Sequence, residues 1–346
     1  TPKACLPVGG GLRRFPVMQK SLLVWKLILG SLSKNIAVML LYVLESKGSS
    51  PGRQGFLMAV NENAEMEGSI GGGIMEHKFV EMAKEQLKAQ GTRDREQGGL
   101  LKKQIHDKSA GADQSGMICS GEQTILLYPV KAKDAETVQR IISSIEQFKN
   151  GTLTLSPSGI GFEDRVPGKD FEYNFIAEND WLYKEKTGYK HQLFIIGGGH
   201  CALAFSKLMR AMDFYITLFE EREGLNTLEE NEFAHEKITV DDYTALSNLI
   251  PAGPGQYVVI MTFGYRTDDI ALRALLDKNF TYLGVLGSKK KMEKLLAGYH
   301  NEGISAEALQ RIHSPIGLEI SSRTPAEIAV SIAAEIITVK NNLVTN

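Results

Sequence analysis

The sequence predicts an α/β protein in two parts. The first is an N-terminal α/β domain built on a mixed sheet; the second is a Rossmann-like domain with a doubly wound parallel sheet. Three observations carry this. After residue 190, apolar strands (LFII, YITLF, KITV, YVVIMTF, YLGVL) alternate with helical patterns between most of them, as in a parallel sheet covered on both faces. The first of those strands runs into FIIGGGHCALAF (194–205), where glycines open a helix. Before residue 187 strands instead meet at short turns. The boundary therefore falls near 187–190, giving domains at 18–188 and 189–346.

The 346 residues suit two domains at roughly 100–200 residues each. A composition 43% hydrophobic and 23% charged is that of a globular chain with a sizeable core. A formal net charge of −2 supplies no field for a polyanion, so nucleic acid is not expected as a partner. Three cysteines, Cys5, Cys119 and Cys201, are too few and too scattered for a disulfide framework, which points to a reducing cytoplasm. No segment reaches the roughly 18 apolar residues of a membrane span. The longest apolar run, IAVMLLYVL (36–44), is the length of a buried strand. The basic start followed by apolar 21–32 mimics a signal peptide, but Lys26 interrupts it and no small-residue cleavage site follows. Residues 1–17 show no period and read as a leader or cloning remnant, with Met18 as a natural start.

In chain order, Leu22, Trp25, Leu29 and Leu32 recur at helical spacing, and strands follow at 36–46 and 56–60. GSIGGG (68–73) opens a helix whose apolar face is Met75, Phe79, Met82 and Leu87. The polar, glycine-rich stretch 91–116 reads as loop-heavy, and QTILLYPV (123–130) as a strand. Asp134 is the expected N-cap of a helix through Val138, Ile141, Ile145 and Phe148, closed by Gly151. LTLSPSGIGF and FEYNFIA…WLYKEK read as antiparallel strands around a Ser-Gly turn. Near the end, Thr324-Pro325-Ala326-Glu327 has the spacing of a capping box with proline at the first helical position.

Gly197, Gly199 and Ala202 occupy the three small positions of a dinucleotide fingerprint. The first permits a tight turn, the second lets backbone approach a pyrophosphate, and the third lets helix and strand pack closely. The helix N-terminus supplies N–H groups and positive potential. Its buried face is expected to be Ala202, Phe205, Met209 and Met212. About 20 residues on, the second strand ends in Glu220-Glu221, where an acid binds a ribose hydroxyl in such folds. Whether NAD occupies the site is a separate matter, since fold does not fix function. A dehydrogenase also needs an acid–base group beside the nicotinamide. The sequence shows no Tyr-x-x-x-Lys, no P-loop, no Cys-x-x-Cys and no His-Glu-x-x-His. His200 is either a polar residue at a helix start or a donor to a bound ligand.

Two readings of the Rossmann domain stand beside each other. One is a free-standing NAD(P)-dependent oxidoreductase; the other is a nucleotide-sensing module without chemistry. Elsewhere, GSIGGG can cradle an anion through its amides, or be a turn that needs positive φ. Arg53 can pair with a phosphate or be solvated surface. Glu76, in the first turn after these glycines, can act simply by favouring the helix dipole. Cys201 lies inside the fingerprint and is expected to pack. Lys289–Lys291 read as a solvated helix start more readily than as a phosphate site.

Several motifs together identify a family. They are GSSPGRQG (48–55), GSIGGGIME (68–76), GMICSGE (116–122), IIGGGH (195–200), MTFGYRTDD (261–269), YLGVLGSKKK (282–291) and RIHSPIGLEISSRTPAEIAVSIAAEII (311–337). In this order the set resembles the XdhC/CoxI family, accessory factors of xanthine dehydrogenase and related molybdenum hydroxylases, over about 36–337. The resemblance implies a maturation factor more than a stand-alone enzyme. Such a factor binds molybdenum cofactor (molybdopterin), supports its sulfuration by a cysteine desulfurase, and delivers it to a xanthine dehydrogenase-type apoenzyme as a chaperone. It further implies a cytoplasmic homodimer.

Position by position, Gly48, Ser50, Pro51 and Arg53 resemble the family's G-S-x-P-R-type loop, with arginine one residue late. Gly72, Gly73 and Glu76 match its G-G-C-x-E element, with Ile74 in place of cysteine. Cys119 matches C-G-G, with Ser120 replacing a glycine. Thr262 and Asp268 match T-H-x-H-x-x-D, with Phe263 and Tyr265 in place of its histidines. Cys119 and Glu76 are thus the candidate catalytic residues. Cys119 is also the candidate metal ligand, since soft sulfur suits molybdenum and a thiolate can accept sulfur; a packed core thiol is the alternative. The candidate cofactor-binding set is Gly197, Gly199, His200, Ala202, Glu220, Thr262, Asp268, Arg53, Gly72 and Gly73.

Overall fold

A computed structural model of the chain describes residues 19–90, 99–105 and 121–342. Two compact units meet at Gly188–Tyr189. Cys5, Cys119 and the rest of residues 1–18 and 106–120 lie outside the described residues.

The N-terminal unit runs α1 (Lys20–Ser33), β1 (Val38–Gly48), β2 (Leu57–Asn61), β3 (Met66–Gly68), α2 (Gly73–Gln90), β4 (Leu100–Ile105), β5 (Gly121–Pro129), α3 (Ala135–Glu146) and the strands β6 (Thr152–Ser156), β7 (Gly159–Glu163), β8 (Phe171–Ala177) and β9 (Asp180–Lys186). One sheet has the order β3-β2-β1-β5-β4 and a second the order β7-β6-β9-β8. The pairings in both are antiparallel, so the mixed sheet expected here is an antiparallel one.

The unbroken apolar run at 36–44 is explained by its place. β1 is the central strand, and Val38 to Leu44 are buried without interruption. Because successive side chains point to opposite faces, it feeds two cores. Val38, Leu40, Tyr42 and Leu44 pack with Trp25 and Ile28 of α1, Ile141 and Ile145 of α3, and Leu153 and Tyr183 of the second sheet. Met39, Leu41 and Val43 pack with Met75, Phe79 and Leu87 of α2.

Two local expectations are corrected. Residues 91–116 are not all loop, because β4 pairs along β5 as an edge strand. Its Leu-Leu-Lys-Lys pattern alternates too weakly to be seen. At α3, Asp134 does not cap the helix; its carboxylate accepts from the Tyr128 hydroxyl at 2.8 Å and from the Lys131 amide at 2.9 Å. That helix ends at Glu146, and the chain turns through Phe148 at φ +56° rather than at Gly151. Gly151 instead opens β6, where a Cβ would sit 2.5 Å from the Phe162 ring.

The C-terminal unit contains β10 (His191–Ile196), α4 (His200–Arg210), β11 (Phe214–Glu220), α5 (Asn226–Glu229), β12 (Glu236–Thr239), α6 (Leu246–Leu249), β13 (Gly253–Ile260), α7 (Tyr265–Arg273), β14 (Phe280–Val285), α8 (Lys289–Asn301), α9 (Ala306–Gln310), β15 (Ile312–His313) and α10 (Pro325–Asn342). The sheet order is β12-β11-β10-β13-β14-β15, parallel throughout. One face is covered by α7 and α8 through Leu272, Leu275, Met292 and Leu295; the other by α4 and α10 through Phe205, Met209, Ile332 and Ile336. Chain order runs outward from β10 to β12, then returns past β10 to β13. That reversal puts the topological switch point, where open α/β sheets bind ligands, between β10 and β13.

The start of α10 closes as a capping box. Glu327 accepts from the Thr324 amide at 3.0 Å, and the Thr324 hydroxyl accepts from the Glu327 amide at 3.3 Å. Among the described residues no helix is long and apolar enough to cross a membrane.

Two glycines should respond in opposite senses to the same change. Gly151→Ala pushes a methyl into the Phe162 ring and is expected to cost about 1–3 kcal/mol. Gly30→Ala, inside α1 with nothing within 4 Å of the new Cβ, is expected to stabilise by about 0.5–1 kcal/mol. Thermal melts of the two variants beside wild type check both signs.

Candidate functional site

Each unit carries one glycine-rich locus, and in each an internal carboxylate organises the loop.

In the N-terminal unit the loops 48–55 and 68–73 meet backbone to backbone. A Cβ on Gly52 would collide with the Ile70 carbonyl, and one on Gly71 (φ +130°) with the Gly52 amide, so neither position tolerates a side chain. Gln123, which is buried, donates from Nε2 to the Gly52 carbonyl at 2.8 Å and ties the junction to β5. Gly121, at the start of β5, abuts Ser49. Cys119 precedes Gly121 by two residues in sequence and is itself outside the described residues. Arg53 is exposed and donates to the Gly48 carbonyl at 3.1 Å.

The glycine loop holds an anion of its own. Glu76 Oε2 accepts from the Ser69 hydroxyl at 2.6 Å, the Ile70 amide at 2.9 Å and the Gly72 amide at 3.1 Å. The amides read from sequence as a cradle for a bound anion are thus turned onto the protein's own side chain. Burial alone would raise the Glu76 pKa, but the Ser69 hydroxyl and the loop amides outweigh it and hold the carboxyl below its usual range. Gly72 and Gly73 take φ of +74° and +69° and face open space, and Ile74 is 75% exposed.

In the C-terminal unit the fingerprint glycines divide in role. Gly197 takes φ +104°, and a Cβ there would collide with the Met261 carbonyl across the switch point. Gly199 is the N-cap of α4 with no side-chain cap, and nothing lies within 4 Å of a Cβ built on it. Ala202 is fully buried between helix and sheet. No described residue accepts from the amides of Gly199, His200, Cys201 or Ala202, so the helix N-terminus is open to an anion. His200 is exposed at that opening. Cys201 is half-buried against the α4 core, and burial pushes its thiol pKa up.

Glu220 is fully buried, and its acceptor sites are filled from within. Oε2 takes the Gly198 amide at 2.7 Å and Arg222 at 2.8 Å. Oε1 takes the Glu221 and Arg222 amides at 3.0 Å each and Arg222 Nε at 2.9 Å. Burial opposes its ionisation, but the Arg222 guanidinium and these amides prevail and keep it low. Here Glu220 holds the glycine loop in shape, where the sequence suggested a ribose acceptor. Arg222, which sequence reasoning missed, also lies over the exposed Phe263 ring, 4.7 Å from its centroid. Its signal was its position two residues after the strand-end acid.

Asp268 has a parallel place. Fully buried in the first turn of α7, it accepts from the Thr262 amide at 3.1 Å and hydroxyl at 2.5 Å, and from Lys291 Nζ at 2.5 Å. Lys291 therefore leaves the solvated helix start expected of 289–291 and bridges the β13 and β14 loops. Tyr265 and Phe263 stand exposed beside them. Among the described residues no group of three His, Cys, Asp or Glu side chains is arranged to hold a metal.

The Glu76 contact has a pH signature. Its carboxyl is held below the ordinary 4.5, so its stabilisation is complete above that value and drains as pH falls through the lower folded value. Glu76→Gln is expected to lower stability by about 1 kcal/mol at neutral pH, the difference between charged and neutral hydrogen bonds. Its gap to wild type should close below pH 4.5. Melting curves from pH 7 to 3 test this, and equal melting at pH 7 would sink it.

The family model described as the XdhC Rossmann domain matches residues 193–336, and the model of the XdhC and CoxI family matches 31–98. An uncharacterised Escherichia coli K12 protein, YqeB, is 25% identical over 315 residues, covering 89% of this chain and 44% of its own length. A Bacillus subtilis protein described as a probable xanthine dehydrogenase subunit is 29% identical over 156 residues, 45% of each chain. The chain thus spans less than half the length of these curated relatives. A crystal structure of a xanthine dehydrogenase from Bacillus halodurans superposes with a TM-score of 0.66 at 22% identity, over 92% of this chain and 96% of that one, which shows a shared fold. With one model matched in each unit, the chain belongs to the XdhC/CoxI family.

Proposed function

We propose that this protein is an accessory factor that binds molybdenum cofactor as cargo, supports its sulfuration with a cysteine desulfurase, and inserts it into a xanthine dehydrogenase-type molybdenum hydroxylase. Family membership and the Bacillus subtilis relative, by its description a xanthine dehydrogenase component, support the client class. The observation that carries the reading is the open N-terminus of α4. Its four amides without acceptors among the described residues and its bare Gly199 suit the terminal phosphate of the cargo, or a nucleotide attached to it. The glycine loop at 68–73 suits it less, because Glu76 already fills that nest. NAD(P) or another nucleotide would use the same α4 amides.

Glu220 is tied to Arg222 and to backbone amides, and Asp268 to Lys291 and to the Thr262 amide and hydroxyl. Neither is then a free general base, which favours binding over hydride transfer. Cys119 supplies the soft sulfur for molybdenum or for sulfur relay, and the exposed Arg53 a cation for an anionic group. The working form is a cytoplasmic homodimer.

Loading purified full-length protein with molybdenum cofactor under anaerobic conditions tests this. Bound molybdenum, bound pterin and activation of a client apoenzyme are the measurements. Gly199→Val should lose at least about tenfold in retention, since a side chain bars the phosphate from the backbone. Cys119→Ser should lose molybdenum, because a hydroxyl is harder and scarcely ionised. Cys201→Ser should behave as wild type. Equal retention by all three would overturn the assignment of both sites.

A further inference from the structure

The stretch GSKKK (287–291) is only partly accounted for by the contact between Lys291 and Asp268. Where β14 gives way to α8, a cavity of about 320 Å³ is lined by Tyr265, Ser288, Lys290, Lys291 and Lys294. Tyr265 comes from the first turn of α7, and the other four from the start of α8. Ser288 caps α8, its Oγ accepting from the Lys291 amide at 3.4 Å, which leaves the hydroxyl proton free to donate. Lys291 turns to the buried Asp268 at 2.5 Å. Lys290 and Lys294 stay exposed and form no ion pair among the described residues.

That placement costs stability in two ways. Lys290 and Lys294 stand four residues apart on one face of α8, where like charges repel. Lys290 and Lys291 also lie in the first turn, where the helix dipole disfavours a cation, and no acid in that turn offsets them. Asp268 answers Lys291, and no described carboxylate answers the other two. The lining itself has the chemistry of an anion site. It offers three ammonium groups, which only donate, and two hydroxyls, with no carboxylate among them. A cation would find no strong acceptor here, and a single carboxylate would match only one of the two free lysines. One helical turn, about 5.4 Å along the axis, separates those lysines. A phosphoryl group carries nearly two charges and three acceptor oxygens at neutral pH, so both ammonium groups can meet it together.

We propose that this cavity binds a phosphoryl dianion between Lys290 and Lys294, with Ser288 and Tyr265 donating from the sides. The dianion is either free phosphate or the end of a phosphate ester whose flat group lies on the half-exposed Tyr265 ring. The site is separate from the α4 amides and does not rest on the cargo reading.

Full-length protein carrying Gly199→Val, which bars anions from the α4 amides, is dialysed to equilibrium against radiolabelled inorganic phosphate, with ionic strength held by chloride. Saturable binding is expected. Lys290→Gln and Lys294→Gln together should weaken it at least about tenfold. Lys289→Gln makes the same kind of charge change on the same turn but outside the lining, and should leave the affinity within about twofold. Without phosphate the double variant should melt no lower than its parent, because it sheds a repulsion. Phenyl phosphate is titrated in parallel. Binding about tenfold tighter than phosphate, with the advantage lost in Tyr265→Ala, would mark an ester stacked on that ring; equal affinity would mark free phosphate. Both outcomes support the site. It is overturned by no saturable phosphate binding, by binding that survives the double substitution, by an equal loss in Lys289→Gln, or by a double variant that melts clearly lower. Because every protein measured has the α4 amides barred, the cargo reading stands or falls separately.

Discussion

A buried carboxylate turned onto backbone amides is the interaction on which the candidate sites depend. Glu220 holds the Gly198 amide and Arg222, and Asp268 holds the Thr262 amide and Lys291. Glu76 holds the 68–73 loop. Each loop gathers N–H groups that no helix or sheet satisfies, and a buried unpaired amide is costly. An ionised acceptor within the fold answers that cost. Burial opposes the charge of Glu220, and the Arg222 guanidinium and several amides together outweigh it; Asp268 is met by Lys291 Nζ and by the Thr262 amide and hydroxyl. Removing either partner would leave an uncompensated charge beneath the site.

This device explains why glycines so alike in sequence behave differently. Gly197 and Gly71 have positive φ and lie against other backbone, so they serve close packing. Gly72, Gly73 and Gly199 face open space. Around Gly199 the amides lack an acceptor among the described residues, and no acid follows in the first turn of α4. At α2, by contrast, Glu76 occupies that first turn and folds back into the loop. One acidic residue, three positions past a run of glycines, ties the Ile70 and Gly72 amides to the protein's own side chain.

The fold was legible where burial imposes a period. Most of the apolar run at 36–44 and the inner parallel strands β10, β11, β13 and β14 had to be buried on two faces, and from Val38 onward and along those strands they largely are, while the outlying β12 is mostly exposed. β4 was hidden because an edge strand with two adjacent lysines carries no clear alternation. Asp134 was misread because an acid before a helix can serve either the helix or a neighbouring turn; here the Tyr128 hydroxyl decides for the turn. In the sites, glycine positions were readable, since only glycine meets those backbone demands. Partners such as Gln123 and Lys291 were not. Their roles come from long-range placement, and nothing in their local sequence distinguishes them from surface residues.

The two positions at which this chain departs from its family's histidines bear on what the C-terminal locus can do. Phe263 and Tyr265 are exposed side chains after β13, next to the loop that meets Gly197. An imidazole at either place would offer a ligand or a titrating group near neutral pH. A phenyl ring offers neither, and Phe263 instead receives the face of Arg222, whose charge is already shared with Glu220. That contact joins the β11 and β13 loops on the two sides of β10, and with it the elements flanking the glycine loop. The substitution therefore exchanges a reactive group for a fixed one. A locus whose acids are internally paired and whose nearest aromatic lies against an arginine is suited to holding an anion at the α4 amides in one geometry.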